Sequence, residues 1–498
     1  MIDERQQMLA SGSVGKVLWK LSYPAAIGAA VMALYNVVDT IFIGQIIGPL
    51  GIAGLTVVFP LQILGMGMGM MIGMGASSII SRALGGSDPD KAERTLGNAI
   101  FYSLAIGLVI AIGGLAASTF WLRLAGASDT ILPYARPYFN IIMAGMVFRI
   151  SGMGLSNLIR SEGNARYAMM CMVVSFALNI VLDALFVLWL NMGIQGAAIA
   201  TVISEFLTTG LVIRYYLSGS STLKIHIKNY RPDWKITREI MAIGFGALVM
   251  TAGGSFIQML MNNLLRSYGG DFAIASFGMI HRSMTFFFIP IMSIGQGLQP
   301  LLGFSYGAGS YERALKSIKL ALIVSTCFAV VAFFIVFLFA EPLMHIFTRD
   351  TELISASSNA AKILFLAAYL IGFQMVGQTV FQSLGKAVAT FLVTTSRQII
   401  FLLPLIFILP NFWGLDGIWY SFPISDGLSF LLVVGLLFFT VRDLRQGKVK
   451  TPKFNTPLKT EPVEAVNAGG YIGGIKTQDL SDGEAYYPRD LGKSEPGL

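Results

Sequence analysis

Apolar residues in this chain gather into long runs separated by short polar or glycine-containing turns, and the runs have the length of membrane helices. A hydrocarbon core of about 30 Å takes about 20 helical residues to cross. The first six runs of this size are predicted over Gly15 to Ile47, Ile52 to Ala83, Glu93 to Phe120, Ile131 to Ser156, Ala165 to Leu190 and Gly196 to Leu217. Six more follow over Ile236 to Arg266, Phe272 to Phe304, Glu312 to Ala340, Ser355 to Phe381, Ala387 to Pro410 and Gly417 to Val441. The expected fold is all-α and integral to a membrane, with twelve transmembrane helices.

The second six repeat the first. Arg160-Ser161-Glu162-Gly163-Asn164-Ala165 is echoed by Gln382-Ser383-Leu384-Gly385-Lys386-Ala387, each following one long apolar helix and opening the next. Gly193-Ile194-Gln195-Gly196 is echoed by Gly414-Leu415-Asp416-Gly417, and each turn leads to a helix with a Ser-acid pair, Ser204-Glu205 and Ser425-Asp426. Gly51-Ile52-Ala53-Gly54-Leu55 lies near the register of Ala273-Ile274-Ala275-Ser276-Phe277. Internal duplication on this scale is typical of secondary transporters, whose substrate path runs between the repeats. The expected organisation is a six-helix bundle over 1–220, a basic connector over 221–235, a second bundle over 236–447 and a disordered tail over 448–498. An even number of spans per half relates the bundles by a pseudo-twofold axis along the membrane normal.

Composition agrees: 55% of residues are hydrophobic and 12% charged, and the mean hydropathy is +0.69. The net charge of +8 reads as membrane topology, since Lys and Arg favour cytoplasmic loops. One side holds Arg5, Lys16, Lys20, Arg82, Lys91, Arg94, Arg160, Arg166, the connector with Lys224, Lys228, Arg231 and Lys235, and then Arg313, Lys316, Lys386, Arg442 and Arg445. The other carries little beyond Arg123, Arg266 and Arg349, beside Asp129, Glu341, Asp350, Glu352 and Asp416. Both termini are expected to be cytoplasmic, and no nucleic-acid partner is expected. A polar segment precedes a first apolar run too long for a signal peptide, so the first helix serves as the membrane address.

Cys171 and Cys327 lie singly in apolar helices, and His226, His281 and His345 have no metal-binding spacing. Gly492-Lys493-Ser494 resembles the end of a phosphate loop, but Tyr487 occupies the place of its first glycine. No nucleophile with a base and no metal cluster is visible, so an enzyme is not expected. Gly69 and Gly73 suit close helix packing. The methionines around them, Met66 and Met70 included, are either core filler or an adaptable lining for irregular apolar substrates.

An ionisable group inside a bilayer is costly and usually faces a polar cavity. Four acids qualify: Asp39, Asp183, Glu205 and Asp426. Asn179 and Asp183 are four residues apart, on one helical face, and Thr201 enters from the next helix after a short turn. An amide oxygen, a carboxylate and a hydroxyl form a hard oxygen set suited to sodium, and a buried carboxylate alone can hold a proton. Pro24 removes a backbone hydrogen bond from helix 1 and can act as its hinge.

With Pro24, Val38-Asp39-Thr40, Gly44, the Asn179 and Asp183 pair, Thr201 and the basic connector in place, the chain from Lys16 to Val441 resembles the multidrug and toxic compound extrusion (MATE) family, in its DinF- or MepA-like bacterial branch. The resemblance implies two six-helix bundles around a central cavity and antiport of drugs against cations. It implies that Asp39, Asn179, Asp183 and Thr201 handle the coupling cation, a proton or sodium, that Pro24 bends helix 1, and that Tyr138 adds a further polar member. Glu205, Asp426, Met66, Met70 and Gln258 are then expected in the substrate cavity. Where another branch has acids in helices 7 and 10, this chain offers Gln258, Asn262, Gln374 and Gln378, so a second cation site in the C-terminal half is not expected. The implied activity is export of amphipathic organic cations by a monomer in a bacterial inner membrane, without cofactor. The competing expectation is a lipid-linked sugar flippase of the wider superfamily, which a basic cavity would mark.

Overall fold

The computed structural model describes residues 4–46 and 48–447; of residues 35–46, 48–53, 227 and 271 it describes the backbone only. The expected tail over 448–498 lies outside the described residues. Within them there are helices and turns and no strand. Twelve helical stretches are long and apolar enough to cross a bilayer. They are span 1 (Val14–Leu34, in the longer helix Val14–Ile46), span 2 (Gly54–Gly85), span 3 (Pro89–Ala116), span 4 (Leu132–Ser161), span 5 (Ala165–Trp189) and span 6 (Gly193–Leu217). Then come span 7 (Trp234–Gly270), span 8 (Phe272–Gly307), span 9 (Tyr311–His345), span 10 (Thr351–Ser383), span 11 (Ala387–Ile408) and span 12 (Pro410–Arg445). The protein is a multi-pass membrane protein.

The turns follow from local chemistry. Spans 7 and 8 run on from one another except at Gly270, whose φ of 64° lies in the left-handed region that glycine alone enters without penalty. Asp88 caps span 3 by accepting from the Lys91 amide at 2.9 Å, with Pro89 at the first helical position, where its missing N–H is not needed.

Packing is uneven along the membrane normal. Span 2 lies along spans 7 and 8 and against span 4, span 1 along spans 5 and 8, and span 10 along span 9. The end carrying Lys16, Lys91, Arg166 and Lys224, called the basic end here, is where the two sequence halves close on each other. A Cβ added at Gly244 of span 7 would collide with the Met71 carbonyl of span 2, and one at Gly307 of span 8 with the Arg82 carbonyl. Without a hydrophobic force between helices in lipid, such small-residue contacts are how backbones gain dispersion energy. Polar contacts follow the same seam: Gln299 Nε2 donates to the Met74 carbonyl at 3.3 Å and Ser78 Oγ to that of Gln382 at 2.5 Å. Arg82 and Lys91 grip the two oxygens of Glu239 at 2.9 and 3.3 Å. One apolar core cluster crosses this seam, joining Ile72, Ile80 and Ile150 to Ile240, Leu298 and Leu302. A second, with Met261, Leu265, Phe277, Leu364 and Trp419, contains second-half residues only.

The short N-terminal helix Glu4–Ser11 ties both halves together. Leu9 is fully buried, and Arg313 of span 9 donates to its carbonyl at 2.9 Å. Arg5 donates to the Tyr215 hydroxyl and to the Ser220 carbonyl, both at 2.6 Å. Tyr215 in turn touches Glu162, in the turn between spans 4 and 5. One oxygen of this buried carboxylate accepts from Ser221 Oγ at 2.8 Å, the Thr222 amide at 2.9 Å and Tyr215 at 3.3 Å. Burial outweighs those bonds and the Arg5 charge, and pushes the Glu162 carboxyl from 4.5 up to about 7. A carboxyl raised in the folded state favours folding while protonated; that contribution is complete below pH 4.5 and is lost as pH rises through 7. Its ceiling is about 3 kcal/mol. The melting temperature of the purified protein is expected to fall between about pH 5 and 8, and Glu162→Gln to flatten that dependence; an unchanged slope in the variant would remove Glu162 as its source.

Candidate functional site

Span 5 carries the central pair. Asn179 and Asp183 are each 1% exposed, one turn apart on the face turned into the protein, with Ser175 one turn before them. Neither the amide nitrogen nor the amide oxygen of Asn179 has a hydrogen-bond partner among the described residues. An amide buried this way lacks about 1–3 kcal/mol of compensation, which a bound cation or water supplies. Thr201 of span 6 donates its hydroxyl to its own helix, to the Ala197 carbonyl at 3.0 Å, and so keeps its oxygen lone pairs as acceptors. Spans 5 and 6 pack on each other through the short turn at Gly193.

The side chain of Asp39 lies outside the described residues, but its helix does not. Span 1 packs along span 5, with Gly28 against the Met172 sulfur. Both helices run away from the basic end. Asp39 and Asp183 each lie eleven residues beyond that contact, about 17 Å further along at 1.5 Å per residue. The two acids are therefore level in the membrane on neighbouring helices. Pro24 sits inside the continuous helix Val14–Ile46, below this level, where it removes one amide from the ladder.

Immediately after Asp183 the helix widens into a π-helical turn over Ala184–Trp189, a local distortion that recurs at functional sites. Tyr138 of span 4 is 6% exposed and accepts from Gln62 Nε2 of span 2 at 3.1 Å. Met66 and Met70 are half-buried on span 2, and the Met70 sulfur accepts from Thr251 of span 7 at 3.8 Å, at the seam between the halves. Gln258 reaches Asn262 on its own helix, at 3.5 Å.

The other two acids have partners that sequence reasoning missed. Glu205 of span 6 is ion-paired with Arg149 of span 4 at 2.6 Å, and Asp426 of span 12 with Arg397 of span 11 at 2.6 Å. Arg397 lies in a second π-helical segment, Ser396–Leu402. The signal was present, because an arginine inside an apolar run is as unfavourable as an acid and points to a partner. The two repeat-related acids are thus both neutralised by arginine, but from different places in the repeat: Arg149 lies on span 4, and Arg397 on span 11, the counterpart of span 5. Asp426 is 2% exposed in this pair, so Arg397→Met should destabilise the protein by about 3–5 kcal/mol by stranding its charge. Adding Asp426→Leu should recover most of the loss in a thermal-melt series; equal damage in single and double variants would show that the pair is not the cause.

A family model described as MatE matches the chain twice, over residues 24–185 and 247–408. The multidrug export protein MepA of Staphylococcus aureus (strain MSSA476) is 28% identical over 446 residues, 89% of this chain and 97% of that protein. The solved structure of the MATE multidrug transporter DinF-BH in complex with rhodamine 6G is 41% identical, covers 87% of this chain and 97% of its own, and superposes with a TM-score of 0.81. A multidrug resistance MATE family transporter of the MOP superfamily, solved in an outward-facing conformation, shares the fold with a TM-score of 0.84 at 24% identity, over 90% of this chain and all of its own. These relatives are transporters rather than enzymes. The double match of one model to the two sequence halves, on an all-helical frame of twelve spans, makes this chain a member of the MATE family.

Proposed function

We propose that this protein is a multidrug antiporter that exports amphipathic organic cations in exchange for protons or sodium. The observation that carries the reading is the buried Asn179 and Asp183 pair, its amide unsatisfied, on a span that packs against span 6 with Thr201 and against span 1 with Asp39. The same half holds a further acid, Glu205, that Arg149 already neutralises. In this reading 1–220 and 236–447 are the two bundles, 221–235 is the connector, and the basic end with both termini faces the cytoplasm of a bacterial cell. The protein works as a monomer in the inner membrane. The closed basic end corresponds to the state that loads the coupling cation from outside. Cation binding at Asp39, Asn179, Asp183 and Thr201 changes the relative stability of the two access states, and that differential affinity is what converts an inward gradient into outward drug movement. Pro24 supplies the flexure in span 1. Tyr138, Met66, Met70 and Gln258 line the drug path, and Glu205 and Asp426, already neutralised, shape it without binding the drug charge. The names of the relatives support the drug class. No observation favours the flippase reading, since Arg149 and Arg397 are each paired with an acid.

The test uses purified protein in sealed vesicles loaded with a fluorescent organic cation. Imposing a pH gradient or a sodium gradient separately, each in the absence of the other, should drive dye movement against its concentration with one of the two ions. Dye movement that ignores both gradients would sink the antiporter reading.

A further inference from the structure

Away from the candidate coupling site, a cavity of about 460 Å³ opens on the outside of the second half between spans 10 and 12. Phe373 forms one wall; Val434, Leu437 and Val441 form the other, and the groove ends at the basic end on Arg442 and Arg445. The wall is apolar along its length and cationic at one tip. Both arginines are exposed, and among the described residues neither has a carboxylate within 4 Å. The acid between them, Asp443, also acts on Lys386, whose Nζ donates to Thr440 at 2.9 Å. The Arg442 guanidinium rests over the Phe439 ring at 5.3 Å, which holds it at the groove mouth.

We propose that this groove is a binding site for one phospholipid of net negative charge, with an acyl chain laid along span 12 and the phosphate held by Arg442 and Arg445. Length supports it. Val434 and Arg445 are eleven residues apart, about 17 Å of helix, close to half of a hydrocarbon core of about 30 Å. The groove therefore reaches from near the bilayer midplane to the level of the lipid phosphates, where basic residues at the end of a spanning helix recognise anionic lipid. Arginine suits the task because its planar fork meets two phosphate oxygens at once. The inference rests on span 12 crossing the membrane and not on transport.

Native mass spectrometry of the delipidated full-length protein tests it. Phosphatidylglycerol and phosphatidylethanolamine with identical acyl chains are titrated separately, and glycerol phosphate is added as a headgroup without chains. One phosphatidylglycerol should bind at concentrations where phosphatidylethanolamine does not. The double variant Arg442→Gln, Arg445→Gln should weaken it about thirtyfold, at about a factor of five per arginine. Val434→Trp, which fills the groove at its far end and leaves the arginines in place, should weaken it as well. Equal retention of the two lipids by the wild type, an undiminished preference in the double variant, or competition by glycerol phosphate as strong as by the lipid would each overturn the proposal.

Discussion

Asp183→Asn is expected to bring gradient-driven dye efflux to background, a loss of about a hundredfold, while dye binding stays within about threefold of wild type. The substitution keeps size and shape, exchanges one acceptor oxygen for an N–H donor pair, and removes the titratable charge that a coupling proton or sodium ion would neutralise. Asp183 is 1% exposed and shares its face with an amide that has no partner among the described residues, which is the ground for the coupling role proposed above. Asp39→Asn should behave alike, because its helix brings it level with Asp183. Glu205→Gln should leave coupling largely in place, since its carboxylate is already committed to Arg149. Efflux assays in vesicles, with dye binding measured separately by fluorescence polarisation, divide these outcomes. Continued concentration of dye by the Asp183→Asn protein would refute the first-half coupling site.

Gly244→Val should disable transport by a different route, by preventing the halves from closing at the basic end. Gly244 lies against the Met71 carbonyl with no room for a Cβ, and the neighbouring atoms are backbone, which cannot swing away as a flexible side chain would. Separation of spans 2 and 7 would also stretch the Arg82, Lys91 and Glu239 cluster. A cysteine introduced at Ser78, buried in the closed seam, should become reactive to a membrane-impermeant maleimide applied from the basic side, with efflux reduced at least about tenfold. The variant should still bind dye. If Ser78→Cys labels equally slowly with and without Gly244→Val, the seam tolerates the side chain and the closure is not set there.

The frame was legible because membrane helices have a length signature that few other elements share. The spans predicted as Ile131 to Ser156 and Ala165 to Leu190 appear as Leu132–Ser161 and Ala165–Trp189, differing only where helix ends extend into the turns. The Asn179 and Asp183 relation was legible for a similar reason, since four residues on a helix bring side chains to one face. Contacts between distant helices were not. Nothing in the local sequence of Arg149 names Glu205, fifty-six residues later, as its partner, and reading only the acids hid half of each pair. The π-helical turns after Asp183 and around Arg397 were also hidden, because an apolar run shows its length without showing which carbonyl each amide chooses. The seam at the basic end depends on glycines that look alike in sequence: Gly244 is pressed against a neighbouring backbone, while Gly210 has open space.

The two arginine-acid pairs have a consequence for how the chain enters the membrane. On insertion scales a lone charge at the centre of a helix opposes integration by about 2.5–3.5 kcal/mol. Arg397 and Asp426 lie on consecutive spans, so the arginine waits for one helix before its charge is matched. Arg149 and Glu205 lie two spans apart, with span 5 between them. During synthesis the Glu205 carboxylate reaches Arg149 only once span 6 has emerged, so span 4 gains this partner late. Truncated chains ending after span 5 should release span 4 into lipid less completely than chains ending after span 6.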